Sequence, residues 1–138
     1  MELNSALEQL GLLQKKLYAY QTASSSLYLD SVTVAPKDTS EGRGVALGIL
    51  AGESQKLMTA PETGKLLEFL ADQKENLSFV EQRQVKELKR SYDRLSGIPA
   101  DEYMDYAMLT NEASDVWHRA KESSDFALFA PVLEKLVA

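Results

Sequence analysis

The chain has 138 residues, enough for a hydrophobic core of ordinary domain size, and its 44% hydrophobic and 26% charged residues are those of a folded chain. A net charge of −6 argues against general binding to nucleic acid or to an anionic membrane surface. There is no cysteine, which excludes disulfides and thiolate metal sites, and no apolar run approaches the ~18 residues of a membrane span. Met1–Lys16 lacks the basic-then-apolar order of a secretory signal, so a cytoplasmic location is the expectation.

Helical periodicity dominates. Leu3, Ala6, Leu7, Leu10, Leu13, Leu17, Tyr20, Ser24 and Tyr28 share one face, which predicts a first helix over 3–28, roughly 39 Å long. Gly11 and the Ser24–Ser26 run weaken it and are the places for a kink. The stretch 29–40 interrupts the pattern: Val32, Thr33 and Val34 are β-branched, Pro36 ends helices, and Asp38, Thr39 and Ser40 offer capping oxygens. A second helix follows over 41–58. Its glycines (Gly42, Gly44, Gly48, Gly52) predict that another helix packs closely against it. Phosphate cradling is the weaker reading, because Gly42-Arg43-Gly44 lacks the preceding strand and the Lys-Ser/Thr ending of a P-loop.

A short helix over 61–73 presents Leu66, Leu67, Phe69 and Leu70. Ser78 with Glu81 forms a capping-box pattern that opens a helix over 78–96, with Gly97 at its C′ position and Val85, Leu88, Tyr92 and Leu95 on its buried side. Pro99 starts the next helix, over 99–122, with Tyr103, Tyr106, Ala107, Thr110, Ala113, Trp117 and Ala120 on one face. Asp125 caps a closing segment that Pro131 bends or restarts. The fold class is all-α, with about five or six helices. Residues 1–138 read as one helical segment, and the apolar finish Leu136-Val137-Ala138 suggests the opening part of a longer protein.

Residues that carry chemistry are sparse. His118 is the only histidine, so the two-histidine HExxH zinc motif cannot be formed, and beside Trp117 it reads as a structural histidine. No serine pairs with a base in a nucleophile motif. Arg83, Lys86, Arg90 and Arg94 form a stripe opposite the apolar side of their helix, where phosphates or an acidic partner would bind. Glu87 and Asp93 beside the stripe favour the plainer reading, a solvated face with intrahelical pairs.

Three stretches taken together resemble a known family. They are Leu27-Tyr28-Leu29-Asp30 with Thr33, Ala35-Pro36 and Arg43; Trp117 with Ala120; and Ser124-Asp125-Phe126 with Phe129, Pro131 and Leu133. Their order and spacing resemble the N-terminal part of the carboxypeptidase Taq family, intracellular zinc metallocarboxypeptidases. Leu29 stands where the family usually has tryptophan, and Ala35 where it has methionine. The resemblance implies the N-terminal helical part of a larger all-helical metallopeptidase fold, with these helices as wall or lid of a deep groove.

It further implies that no catalytic or metal-binding residue lies in this segment. Zinc or another divalent metal belongs to the full-length parent, with an HExxH helix downstream. The implied partners are that downstream catalytic part, a peptide substrate and a second copy in a homodimer, with neither nucleic acid nor membrane. Asp30, Thr33, Pro36 and Arg43 are expected to fix the bend between the first two helices, with an Asp30–Arg43 ion pair. Trp117, Asp125, Phe126, Phe129 and Pro131 are expected to be structural. The alternatives are a freestanding helical interaction module without enzymatic activity, and a small helical enzyme using the arginine stripe on an anionic substrate.

Overall fold

The computed structural model describes all 138 residues, the side chain of Lys37 excepted. Six α-helices follow one another among the described residues: α1 (Leu3–Thr33), α2 (Ser40–Thr59), α3 (Pro61–Asp72), α4 (Phe79–Leu95), α5 (Ala100–Ser123) and α6 (Ala130–Val137). Single 3₁₀ turns at Lys37–Thr39, Lys74–Asn76 and Phe126–Leu128 lead into α2, α4 and α6. The fold is all-α, as the periodicity predicts.

The largest departure from the sequence reading is the end of α1, which runs to Thr33 and passes through Gly11 and Ser24–Ser26 as one helix. The β-branched residues complete its last turn instead of leaving it. Thr33 Oγ1 donates to Leu29 O at 2.6 Å, a bond that lets threonine sit inside a helix. The helix then stops because Pro36 disfavours helical backbone at Ala35, and the N–H groups of Val34 and Ala35 both donate to Asp30 O.

The expected buried face of α1 is only half covered. Ala6, Leu10 and Leu13 join Leu66, Leu67 and Leu70 of α3, Leu77, and Val85 of α4 in the main core. Leu67 and Leu70 are the largest fully buried side chains, each contributing about 1.5–3 kcal/mol from removal of apolar surface. Beyond Leu17 the partners thin out, and Tyr28 is 57% exposed. The 31-residue α1 is longer than both the 20-residue α2 and the 12-residue α3 that pack against it, so part of its length lacks a neighbour.

Helix α4 starts as the sequence indicates. Ser78 Oγ accepts from Glu81 N while Glu81 Oε2 accepts from Ser78 N at 2.7 Å, a complete capping box. Hydrogen bonding by the Ser78 side chain, and then by its backbone, holds the Glu81 carboxyl below the ordinary carboxylate range. Gly97 sits at C′ of α4, but no glycine among the described residues has positive φ, so it does not form a left-handed cap. That conformation belongs to Ser124 (φ 53°, ψ 35°), where α5 ends and Asp125 N donates back to Ala120 O at 2.9 Å.

Helices α2 and α5 pack antiparallel. Gly44, Gly48 and Gly52, four residues apart on one face of α2, are all buried. A Cβ built on Gly48 would lie 2.6 Å from Met108 Cγ and 3.2 Å from Met104 Cγ, and one on Gly44 would lie 3.1 Å from Asn111 Nδ2. The face of α5 that meets α2 is therefore Met104, Met108 and Asn111. The aromatic face read from sequence is displaced: Tyr106 is 56% and Trp117 42% exposed, although Ala113 and Ala120 on it are buried. Unbranched methionines fit the shallow groove left by a glycine row better than rings do.

Gly42, by contrast, has nothing within 4 Å of its would-be Cβ. The same substitution in one helix should thus have opposite signs. Gly42→Ala should raise stability by about 0.5–1 kcal/mol through helix propensity. Gly48→Ala should lower it by about 1–3 kcal/mol, because overpacking outweighs the propensity gain. Urea unfolding of the two variants checks both signs.

Candidate functional site

Arg43 lies one residue before the glycine row and reaches across the α2–α5 seam. Its Nη2 donates to both Asp115 carboxylate oxygens at 3.2 Å, and its Nε donates to Asn111 Oδ1, also at 3.2 Å. Asn111 Nδ2 in turn donates to Ser40 O at 3.1 Å, which closes the knot on the first turn of α2. The Arg43 side chain is 8% exposed and that of Asp115 31%. The planar guanidinium places several donors at once, which a lysine in this seam would not do. The expected Asp30–Arg43 pair does not form. Asp30 is exposed at the end of α1, where its backbone carbonyl accepts two N–H groups, whereas α5 delivers Asp115 directly to Arg43.

At the other end of the seam Gln55, 3% exposed, donates from Nε2 to Ile98 O at 2.7 Å and Leu95 O at 3.3 Å. It thereby ties α2 to the end of α4 and the link into α5. Sequence reading missed Asn111, Asp115 and Gln55. The available signal was the Met104, Met108, Asn111, Asp115 series, which repeats every three or four residues and so shares a face of α5.

The remaining family-motif positions are spread over the surface. Pro36 O accepts from Thr39 Oγ1 at 2.7 Å in the turn before α2. Trp117 packs edge-on to His118, ring centroids 4.9 Å apart, and Lys121 Nζ sits 4.9 Å from the centre of its ring. Asp125 Oδ1 accepts from Ala127 N at 3.0 Å, the expected cap. Phe126, 66% exposed, meets Phe129 edge-on at 6.3 Å, and Pro131 lies in the first turn of α6, which it restarts. The structure brings Phe126 and Phe129 together, but does not unite Asp30, Arg43 and Trp117 in one site.

Among the described residues no three His, Cys, Asp or Glu side chains converge as a metal site. The donor set does not fit zinc: the single histidine is exposed and meets an indole edge-on, and there is no thiolate.

The basic stripe on α4 is a more definite feature than its sequence suggested. Arg83, Lys86, Arg90 and Arg94 are exposed, and none of them makes an ion pair among the described residues. The intrahelical pair that does form is Lys89–Asp93 at 3.6 Å, beside the stripe; Glu87 does not neutralise Arg90. The stripe borders an open groove of about 940 Å³, floored by Leu70, Leu77 and Val85, with Phe79 at its end. Gln82 Nε2 donates to Lys74 O and Leu77 O, both at 3.0 Å, and so fixes the groove wall to α4.

These helices match a family model, that of the carboxypeptidase Taq (M32) metallopeptidases, over residues 9–138, and the chain belongs to that family. It is 32% identical over 137 residues to Carboxypeptidase 1 of Bacillus subtilis, covering 99% of this chain and 27% of that protein. It is 30% identical over 135 residues to Thermostable carboxypeptidase 1 of Pyrococcus furiosus, covering 98% and 27%. The crystal structure of BsuCP superposes with a TM-score of 0.88 at 32% identity, over 96% of this chain and 26% of that one. The six helices correspond to the N-terminal helical portion of that all-helical fold. The chain spans 27% of the length of the curated relatives it matches.

The clamp predicts a measurable coupling. Arg43→Ala should destabilise the chain by about 2–3 kcal/mol, since Asp115 and Asn111 lose a partly buried partner. Arg43→Lys should recover less than half of that. A double-mutant cycle with Asp115→Ala, read by thermal or urea unfolding, should return a coupling of about 1–2 kcal/mol.

Proposed function

We propose that these helices form the non-catalytic N-terminal wall and partial lid of the substrate groove in a metallocarboxypeptidase that removes residues from peptide C-termini. The observation that carries this reading is the match of nearly the whole chain to about a quarter of a carboxypeptidase structure: 96% of one, 26% of the other. Zinc or another divalent metal, with its ligands, belongs in this reading to the rest of the fold. The present residues limit access and help exclude water from the groove. Asp30, Thr33 and Pro36 set the bend between α1 and α2, and Arg43 locks α2 to α5. Trp117, Phe126, Phe129 and Pro131 shape an apolar surface for the remainder of the fold.

A second reading is a freestanding helical interaction module without enzymatic activity. What favours it is that the chain closes its own polar accounts: among the described residues no buried side-chain nitrogen or oxygen lacks a partner. A chain that stays strictly monomeric at every attainable concentration supports the module; concentration-dependent association supports the wall.

Two outcomes test the first reading. The 138-residue chain supplied with zinc or cobalt should release no C-terminal residue from a blocked peptide, and should bind no zinc in equilibrium dialysis. One-to-one zinc binding, or release above a metal-only blank, overturns it.

The chain also exposes Tyr18 (71%), Tyr28 (57%) and Leu29 (61%) along the far half of α1, and Val34 (78%) just past its end. Such a surface favours self-association. In sedimentation velocity the average mass should rise with concentration above the 15.3 kDa monomer. A mass that stays at the monomer value at the highest attainable concentration contradicts the prediction.

A further inference from the structure

The groove on α4 joins two properties that the rest of the molecule keeps apart. Six of the chain's 15 lysines and arginines line it against one of its 21 aspartates and glutamates, which leaves nine basic and 20 acidic side chains elsewhere. Its floor is apolar, and Phe79, 77% exposed, stands at one end with its ring in solvent. Arg83, Lys86, Arg90 and Arg94 rise on one side at helical spacing, a row roughly 16 Å long running parallel to the helix axis. These four cations are unpaired among the described residues, while Lys89 pairs with Asp93, so a partner need not break existing ion pairs to use the row.

We propose that this groove is a docking site for an acidic amphipathic helix of a partner protein. The partner's apolar edge would seat against Phe79 and the Leu77–Val85 floor, and its carboxylates would meet the arginine row. A helix lying along α4 matches the direction and length of the row over about three turns. Charge complementarity selects the partner's sign, and the strongly acidic remainder of the surface repels long polyanions such as nucleic acid. The inference rests on the groove as the 138-residue chain presents it.

The test uses the 138-residue chain and a fluorescein-labelled synthetic helix of about four turns, leucine on one face and glutamate on the other. Fluorescence anisotropy should show saturable binding that weakens with added salt, while a peptide with lysine for each glutamate should not bind. The double variant Arg90→Glu with Arg94→Glu should weaken binding by at least about tenfold. Phe79→Ala should weaken it several-fold. If the double variant unfolds at a lower temperature than the parent, Arg90→Gln with Arg94→Gln removes the charges without reversing them, and must still weaken binding.

Absence of binding, or binding equal in parent and variants, overturns the proposal. So does binding of a single-stranded oligonucleotide in preference to the acidic peptide. Loss of self-association in the Arg90/Arg94 variants, with no peptide binding, gives the groove to a second copy of the chain and overturns it too.

Discussion

Helix α2 can lie against α5 as closely as it does because Gly48, and to a lesser degree Gly44, carry no Cβ, whereas one on Gly52 would make ordinary contact with Met104. At Gly48 the space a methyl would need is already taken by the methionine side chains of α5. Glycine costs helix stability, about 1 kcal/mol each relative to alanine, so three on one face need compensation from packing. The compensation is the seam itself. Met104 and Met108 fill the groove, while Arg43 and Gln55, at opposite ends of the glycine row, reach groups on α5 and at the end of α4. A larger residue in the row would move both ends at once.

Close approach makes the polar groups at the seam costly to leave unpaired. With little side-chain area in the row to bury, the seam depends on satisfying every donor and acceptor it covers. Arg43 does this with a fork of donors to Asp115 and Asn111, and Asn111 passes the chain of bonds to Ser40. The net value of such a half-buried pair is modest, but losing one partner strands the other, and that asymmetry makes Arg43 a locking residue. Gln55 acts likewise on the carbonyls where α4 ends. The result is an α2–α5 pair joined, through Leu57 of α2, to a leucine core built by α1, α3 and α4.

Membership of the carboxypeptidase Taq family gives this architecture its context, and the chain's share of its relatives' length marks it as corresponding to one portion of their fold. Among the described residues no three His, Cys, Asp or Glu side chains converge as metal ligands would. What these residues supply instead is shape and surface: an arginine-locked helix pair, a long α1 whose far half is only partly covered, and a basic groove set into an otherwise acidic exterior.

The sequence by itself determined the helices and most of their ends, because those depend on neighbours a few residues away. Ser78 and Glu81 make the capping box they spell, Asp125 caps its turn, Pro131 restarts α6, and the glycines of α2 announce close packing. The family too was legible, in the Trp117-x-x-Ala120 and Asp125–Leu133 stretches. Tertiary structure decided what depends on residues far apart in the chain. It chose Met104 and Met108 over the aromatic face of α5, gave Arg43 to Asp115 instead of Asp30, and left the α4 arginines facing solvent around a groove. A periodic pattern says which residues share a face, but not which face meets a neighbour when two are comparably apolar. That choice falls to steric fit across the seam, here between a glycine row and flexible thioethers, which neither helix encodes alone.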